Sequence, residues 1–158
     1  MRVFNTPADL ALAVGDRLGE SPWCRIDQRR IDQFAEATGD HQWIHVDAER
    51  ARTGPFGGAI AHGFLTVSLL PSLLNQIVRI DGVELMLNSG VDKLRFHSPV
   101  PAGARVRAVA HLTSVKPRAG GFTEVVLSAF LEVENRRRAA LTANVRALMR
   151  AAQPAPAA

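Results

Sequence analysis

The chain contains no tyrosine and only one cysteine, and aromatic residues make up 6% of its 158 positions. A nucleic-acid reader gathers positive charge on one face and adds rings on which bases can stack. Here the nineteen Lys and Arg are scattered apart from Arg136-Arg137-Arg138, so a formal charge of +4 and a pI near 10.5 do not mark such a partner. Arginine-rich surfaces also suit small polyanions, which the planar guanidinium binds through paired hydrogen bonds. The lone Cys24 excludes an internal disulfide and fits a reducing compartment. Beside Trp23 in a strand-like stretch, it reads as a packed thiol rather than a nucleophile. No segment approaches about 18 unbroken apolar residues, and the stretch Met1 to Pro7 lacks the apolar run of a signal peptide. A cytoplasmic protein without a membrane partner is the expectation.

What is present is an ordinary globular balance, 47% hydrophobic and 22% charged, enough for one domain with a real core. We place that domain at 1–150 and a flexible tail at 151–158, where Pro154 and Pro156 stand among alanines. Thr6, Pro7 and Asp9 open a short helix that runs to about Val14 and ends at Gly15. A strand from Trp23 to Ile26 leads to Asp27, an N-cap for a helix whose Ile31, Phe34, Ala35 and Thr38 share one face before Gly39 stops it. Asp47 to Arg52 reads as a further helical turn, closed by the breaker-rich loop Thr53 to Gly58. Ile60 to Ile77 is apolar nearly all round, so it predicts a long buried helix, with a kink or a boundary at Pro71.

Beyond Gly82 the texture changes to strands over Val83 to Val100, Arg105 to Val115, Phe122 to Glu134 and Arg138 to Met149. Val125, Leu127, Ala129, Leu131 and Val133 alternate, as do Leu141, Ala143, Val145, Ala147 and Met149. Period two means an antiparallel sheet with one covered face. The expected class is α+β, with the antiparallel sheet wrapped around a long central helix.

Chemistry concentrates in Gly39-Asp40-His41-Gln42-Trp43-Ile44-His45 and in Ile60-Ala61-His62-Gly63. Asp40 and His45 can converge on one water just past a helix stop, and the Gly63 N–H at a helix start is free for an oxyanion. Each residue also has a plainer reading: Asp40 as a turn cap, His45 as a packed ring, Gly63 as a close-packing glycine. His62 reads as a pocket-lining group rather than an acid or base. His41, His45, Asp47 and His62 are of metal-ligating type, but their spacing matches no known ligand pattern, so no metal is expected. Asp47 reads as a cap.

These residues, together with Phe64, Arg95-Phe96 and Pro99-Val100-Pro101-Ala102-Gly103, resemble the MaoC-like (R)-specific enoyl-CoA hydratases, also called hydratase 2. Within that family the chain is most similar to mycobacterial 3-hydroxyacyl-thioester dehydratases and to nodulation-protein-N-like sequences. The resemblance implies a hot-dog fold, a homodimer, no cofactor, and reversible addition of water to a trans-2-enoyl-CoA giving the (R)-3-hydroxyacyl-CoA. It implies Asp40 and His45 as the catalytic pair with Gly63 as oxyanion donor, and Phe96 as a contact to the thioester. Gln42 and Trp43 stand where the family commonly has Asn and Pro, which bears on the shape of the acyl channel.

Further substrate-contact candidates are His62, and Asn88 and Gly90, which interrupt an apolar strand in a way that can mark close backbone approach to a ligand. Lys93, Arg95, Arg105 and Arg107 are candidates for the CoA phosphates, with solvated charge as the alternative for each. Three other functions stay open. They are the same chemistry on acyl carrier protein thioesters, a hot-dog thioesterase, and a non-catalytic thioester-binding module. The Asp40 to His45 arrangement argues against the thioesterase.

Overall fold

The computed structural model describes residues 1–152. Five strands form its main antiparallel ladder, in the order β2 (Arg17–Glu20), β6 (Arg105–Pro117), β7 (Phe122–Val133), β8 (Leu141–Ala151) and β5 (Val83–Phe96), and the two-residue β3 (Cys24–Arg25) also pairs with β6. Alternation along β7 and β8 does what period two requires: Val125, Ala129, Leu131, Leu141, Ala143 and Met149 are all buried. They meet Leu65, Leu70, Leu73 and Leu74 of the central helix in one core. The fold is therefore the expected α+β hot dog.

The central helix differs from the expectation in length and continuity. It begins at Gly63, because Ile60 is held in an antiparallel bridge to Pro101 and the Ala61 N–H donates to the Val100 carbonyl at 2.8 Å. It then runs as two short pieces, α4 (Gly63–Ser68) and α5 (Leu70–Leu74), joined at Leu69. Leu69 keeps helical dihedrals, φ −78° and ψ −21°, so the chain bends without leaving the helical region. Pro71 explains the break, since it has no N–H for the carbonyl of Val67, four residues back, and its ring crowds that carbonyl.

Several shorter elements also depart from the expectation. The first helical segment is a 3₁₀ helix at Ala8–Ala13, and the Trp23 to Ile26 strand shrinks to Cys24–Arg25. Two short strands, β1 (Arg2–Phe4) and β4 (Val78–Ile80), pair in parallel where the sequence shows no strand pattern. Ala151 still belongs to β8 and the Ala152 N–H donates to the Gly82 carbonyl at 2.7 Å, so the sheet runs past the expected boundary at 150. The rest of the anticipated tail, 153–158, lies outside the described residues. No helix among the described residues is long and apolar enough to cross a membrane.

Core packing predicts a contrast between two leucines. Leu131→Ala, at a fully buried position, should destabilise by about 2–5 kcal/mol, whereas Leu12→Ala, at a position 93% exposed, should change stability by less than about 0.5 kcal/mol. Urea unfolding of both variants measures the difference.

Candidate active site

Asp40 owes its place to the end of α1 (Gln28–Thr38). Asp27 caps the start of that helix by accepting from the Arg30 N–H at 3.0 Å, and Gly39 ends it in the left-handed region at φ 76°. Asp40 follows at once, exposed on the turn. A four-residue helix that the sequence did not suggest, α2 (Trp43–Val46), then turns His45 inward. Asp47 caps α3 (Ala48–Arg52), accepting from the Arg50 N–H at 2.9 Å, as expected for a cap.

His45 is 6% exposed and its Nδ1 lies 2.7 Å from the Ile60 carbonyl oxygen. A carbonyl only accepts, so Nδ1 carries the proton and Nε2 presents a lone pair. The Ile60 N–H in turn donates to the Ile44 carbonyl at 3.0 Å, and the Gln28 amide donates to the His45 carbonyl at 2.7 Å. Ring and backbone of His45 are thus both tied down. Burial pushes its pKa below the ordinary histidine value of 6.5, with His62 adding to the shift, against the raising effects of the Ile60 bond and of Asp40.

His62, 2% exposed, stacks on His45 with ring centroids 3.8 Å apart and an interplanar angle of 27°. Its Nε2 lies 2.9 Å from the Asp40 carbonyl oxygen. A carboxylate oxygen of Asp40 and ring nitrogens of both histidines all fall within 4.8 Å of one another. Such a trio invites a metal reading, but an ion bound at about 2.0–2.2 Å needs lone pairs that converge. A water bonded at about 2.8 Å to each of two groups spans 4–5 Å, so the same spacing also accommodates one. His41 stands apart, 3.7 Å from Glu36.

A cavity of about 290 Å³ opens beside His45, with Gly63, Thr66, Phe96, His97 and Ser98 among its walls. Phe96 lies directly on Gly63, where an added Cβ would stand 3.0 Å from two ring carbons. A larger residue there would push the Phe96 ring outward by a few tenths of an ångström. Thr66, His97 and Ser98 were not singled out from sequence. Thr66 had a signal, a polar residue on an otherwise apolar helix three positions after Gly63, whereas His97 and Ser98 follow Phe96 with nothing to distinguish them from solvated positions.

Other sequence candidates lie elsewhere. Trp43 packs against Gly54 and under the Arg50 guanidinium, 4.4 Å from its ring centroid, rather than on the cavity, and Gln42 is exposed. The Asn88 to Gly90 interruption is a shift of register between β5 and β8, which is a bulge. Both residues line a groove of about 350 Å³ with Val67 and Pro71, and Asn88 also borders an apolar cavity of about 480 Å³ with Leu74, Met86 and Met149. Lys93 and Arg95 are exposed on β5. Arg105 pairs with Glu134 at 2.9 Å and Arg107 with Glu132 at 2.8 Å, so those two charges are already matched. Cys24 is half-buried, with the Arg30 guanidinium 3.0 Å from its sulfur.

A curved antiparallel sheet over a kinked apolar helix, with an acid and an imidazole at the helix entrance, defines a hot-dog protein. The chain belongs to the MaoC-like family, its residues 9–131 matching the MaoC like domain. It is 49% identical over 143 residues to the 3-hydroxyacyl-thioester dehydratase Z of Mycobacterium tuberculosis, covering 90% of this chain and 95% of that one. Nodulation protein N of Rhizobium leguminosarum is 45% identical, covering 87% of this chain and 86% of its own. The crystallised (R)-hydratase from A. caviae superposes with a TM-score of 0.66 at 24% identity, over 85% of this chain and 94% of that one, a likeness of fold.

The lowered pKa of His45 has a consequence for stability. Above pH 6.5 folded and unfolded chains both hold it neutral, but below 6.5 the unfolded chain takes up a proton that the folded one resists. The His45 contribution should therefore be lost progressively as pH falls below 6.5 and level off beneath the folded pKa. Chemical denaturation across that range, comparing the parent with His45→Gln, should show the slope flattened in the variant.

Proposed function

We infer that the chain is a hydro-lyase that reversibly adds water to a trans-2-enoyl thioester, giving the (R)-3-hydroxyacyl thioester. The observation that carries this is the orientation of His45: its Nδ1–H is spent on Ile60, which leaves Nε2 as the free base of a ring that has a nitrogen within 4.8 Å of an Asp40 carboxylate oxygen. Membership of the family and the name of the mycobacterial relative support the reaction class.

The mechanism follows from the residues. A water between the two groups is oriented by the Asp40 carboxylate and loses a proton to His45 Nε2 as its oxygen bonds to C3. The thioester oxygen gains enolate charge, which the Gly63 N–H stabilises; a donor so placed contributes about 2.7–4 kcal/mol in other enzymes. The imidazolium then returns the proton to C2. The same water supplies both additions, no metal or cofactor takes part, and the reverse sequence dehydrates the 3-hydroxyacyl thioester.

Phe96, lying over Gly63, bounds the thioester end of the substrate. Thr66 borders the His45 cavity and Val67 the neighbouring groove, so adjacent residues of α4 separate the reacting carbons from apolar space suited to an acyl chain. Coenzyme A is the carrier we favour, with acyl carrier protein as the alternative and Lys93 and Arg95 as the unassigned cations. We place the protein in the cytoplasm as a homodimer. Edge strand β5 exposes Met86, Leu87 and Val91, which a second copy would cover.

Loss of absorbance at the enoyl-thioester band with crotonyl-CoA, without release of free thiol, is the expected signature; thiol release instead would mean a thioesterase. Asp40→Asn and His45→Gln should each lower kcat by about 10²–10⁴ with far smaller changes in KM. Their double variant should be little worse than the worse single one, and near-normal turnover by either folded variant would refute the pair.

Stereochemistry tests the shared water independently. Hydration in deuterated water should give (R)-3-hydroxybutyryl-CoA with deuterium added syn, read by chiral chromatography and NMR. Anti addition would remove the single-water mechanism, and an (S) product would remove the assigned face.

A further inference from the structure

We propose that His62 is a positioning residue that locks Asp40 to His45, through its bond to the Asp40 main chain and its stacking on the His45 ring. The proposal rests on the reading of Asp40 and His45 as the reacting pair. His62 occupies the N-cap position of α4, one residue before Gly63, yet its ring makes no capping bond. Instead Nε2 reaches the Asp40 carbonyl at 2.9 Å, across 22 positions of sequence. Because that oxygen can only accept, Nε2 carries the proton. Nδ1 is then a buried lone pair, and it has no hydrogen-bond partner among the described residues.

A residue selected for packing alone would not carry that orphan. Leaving a buried acceptor unmatched is unfavourable, and a phenyl ring of similar shape would avoid it. The polar ring therefore has a use at its other end. That end fixes the main chain of Asp40, which is otherwise exposed on the turn after Gly39. The face of the ring lies 3.8 Å from His45, and the Phe34 ring approaches His62 at 5.0 Å and 52°. Phe34 belongs to α1, whose end delivers Asp40, so His62 is clamped between the element that carries the acid and the ring that serves as base.

Neutrality is the second effect. Two imidazolium rings stacked at this distance would repel, so His62 disfavours a proton on His45. Burial is the larger cause that keeps His45 neutral, and His62 adds to it; the charged group facing His45 in opposition is Asp40. Removing the His62 imidazole should let His45 protonate more readily.

Two variants separate the two contacts. His62→Phe keeps a ring against His45 and removes the donor to Asp40; His62→Gln keeps a donor that can reach the Asp40 carbonyl and removes the ring. With crotonyl-CoA, His62→Phe should lower kcat by about 10- to 100-fold, the scale of a small misplacement of a reacting group, with KM nearly unchanged. His62→Gln should recover part of that loss. In both, the acid limb of the rate profile and the His45 ring titration followed by NMR should move to higher pH.

Wild-type kcat in His62→Phe, or a His45 titration unmoved in both folded variants, would overturn the proposal. Should His62→Phe not fold, the kcat and NMR titration of His62→Gln decide it: a wild-type kcat with an unmoved titration overturns it. If the parent protein fails to hydrate the thioester, the hydratase reading fails separately, and the NMR titration still tests the coupling of the two rings.

Discussion

Ile60 joins the two halves of the site with one peptide unit on each side of its Cα. Its N–H donates to the Ile44 carbonyl at 3.0 Å and its carbonyl accepts from His45 Nδ1 at 2.7 Å. The first bond holds α2 against the strand-like segment before the central helix. The second decides which nitrogen of His45 carries a proton, and hence which one is free to act. Ala61 extends the same anchor to the Val100 carbonyl, and the Ala102 N–H returns a bond to Ala59 at 2.8 Å. The requirement that a buried backbone be hydrogen-bonded thus sets the chemistry of a side chain fifteen positions away. This is also why the central helix starts at Gly63 instead of Ile60: the preceding residues are committed to the bridge.

The glycine that follows illustrates a second constraint, close approach. Phe96 comes from the end of β5 and lies across Gly63, while Phe64 meets the same ring edge-on with centroids 6.0 Å apart. Any side chain at position 63 would have to displace the aromatic ring. The backbone N–H that we assign to the thioester oxygen is therefore kept beside an aromatic wall that a larger residue would push away. The short pieces α4 and α5 give this donor less help from a helix dipole than one long helix would, so its local direction matters more than the macrodipole.

Much of this is legible in the sequence because local chemistry and global fold agree. Asp27 and Gly39 mark the two ends of α1 through a side-chain cap and a left-handed residue, both local effects. The buried strands β7 and β8 announce themselves by alternation. Pro71 flags the bend. What escaped notice depends on contacts distant in sequence. The four residues of α2 are too few for a helical period and form because Ile60 and Gln28 hold them; β1 and β4 are three residues each and pair across more than seventy positions. Trp43 drew attention because it departs from the family pattern, yet its ring serves the α3 loop. Asn88 and Gly90 mark a bulge in β5, where an interruption bends the strand along an apolar groove. Spacing allows Asp40 and His45 to converge and the family resemblance selects them as a pair, but the tautomer is not legible, since it is decided by a carbonyl outside their segment.

Edge strand β5 links the site to the surface. Among the described residues it pairs with β8 along one side only, and its Met86, Leu87 and Val91 are exposed while its end supplies Phe96 to the wall of the cavity. A fourteen-residue edge with apolar side chains is an unstable arrangement in water unless something covers it. Three shifts of register along β5 curl the strand, which blunts the edge in part but does not hide the apolar groups. Phe96 itself is 49% exposed and Phe64 67%, although both stand beside the donor assigned to the reacting oxygen. An enolate-forming site gains from the exclusion of water, because charge stabilisation by a fixed N–H weakens as solvent competes for it. Covering β5 would therefore act on fold and chemistry together, burying an edge that favours association and drying the aromatic wall over Gly63.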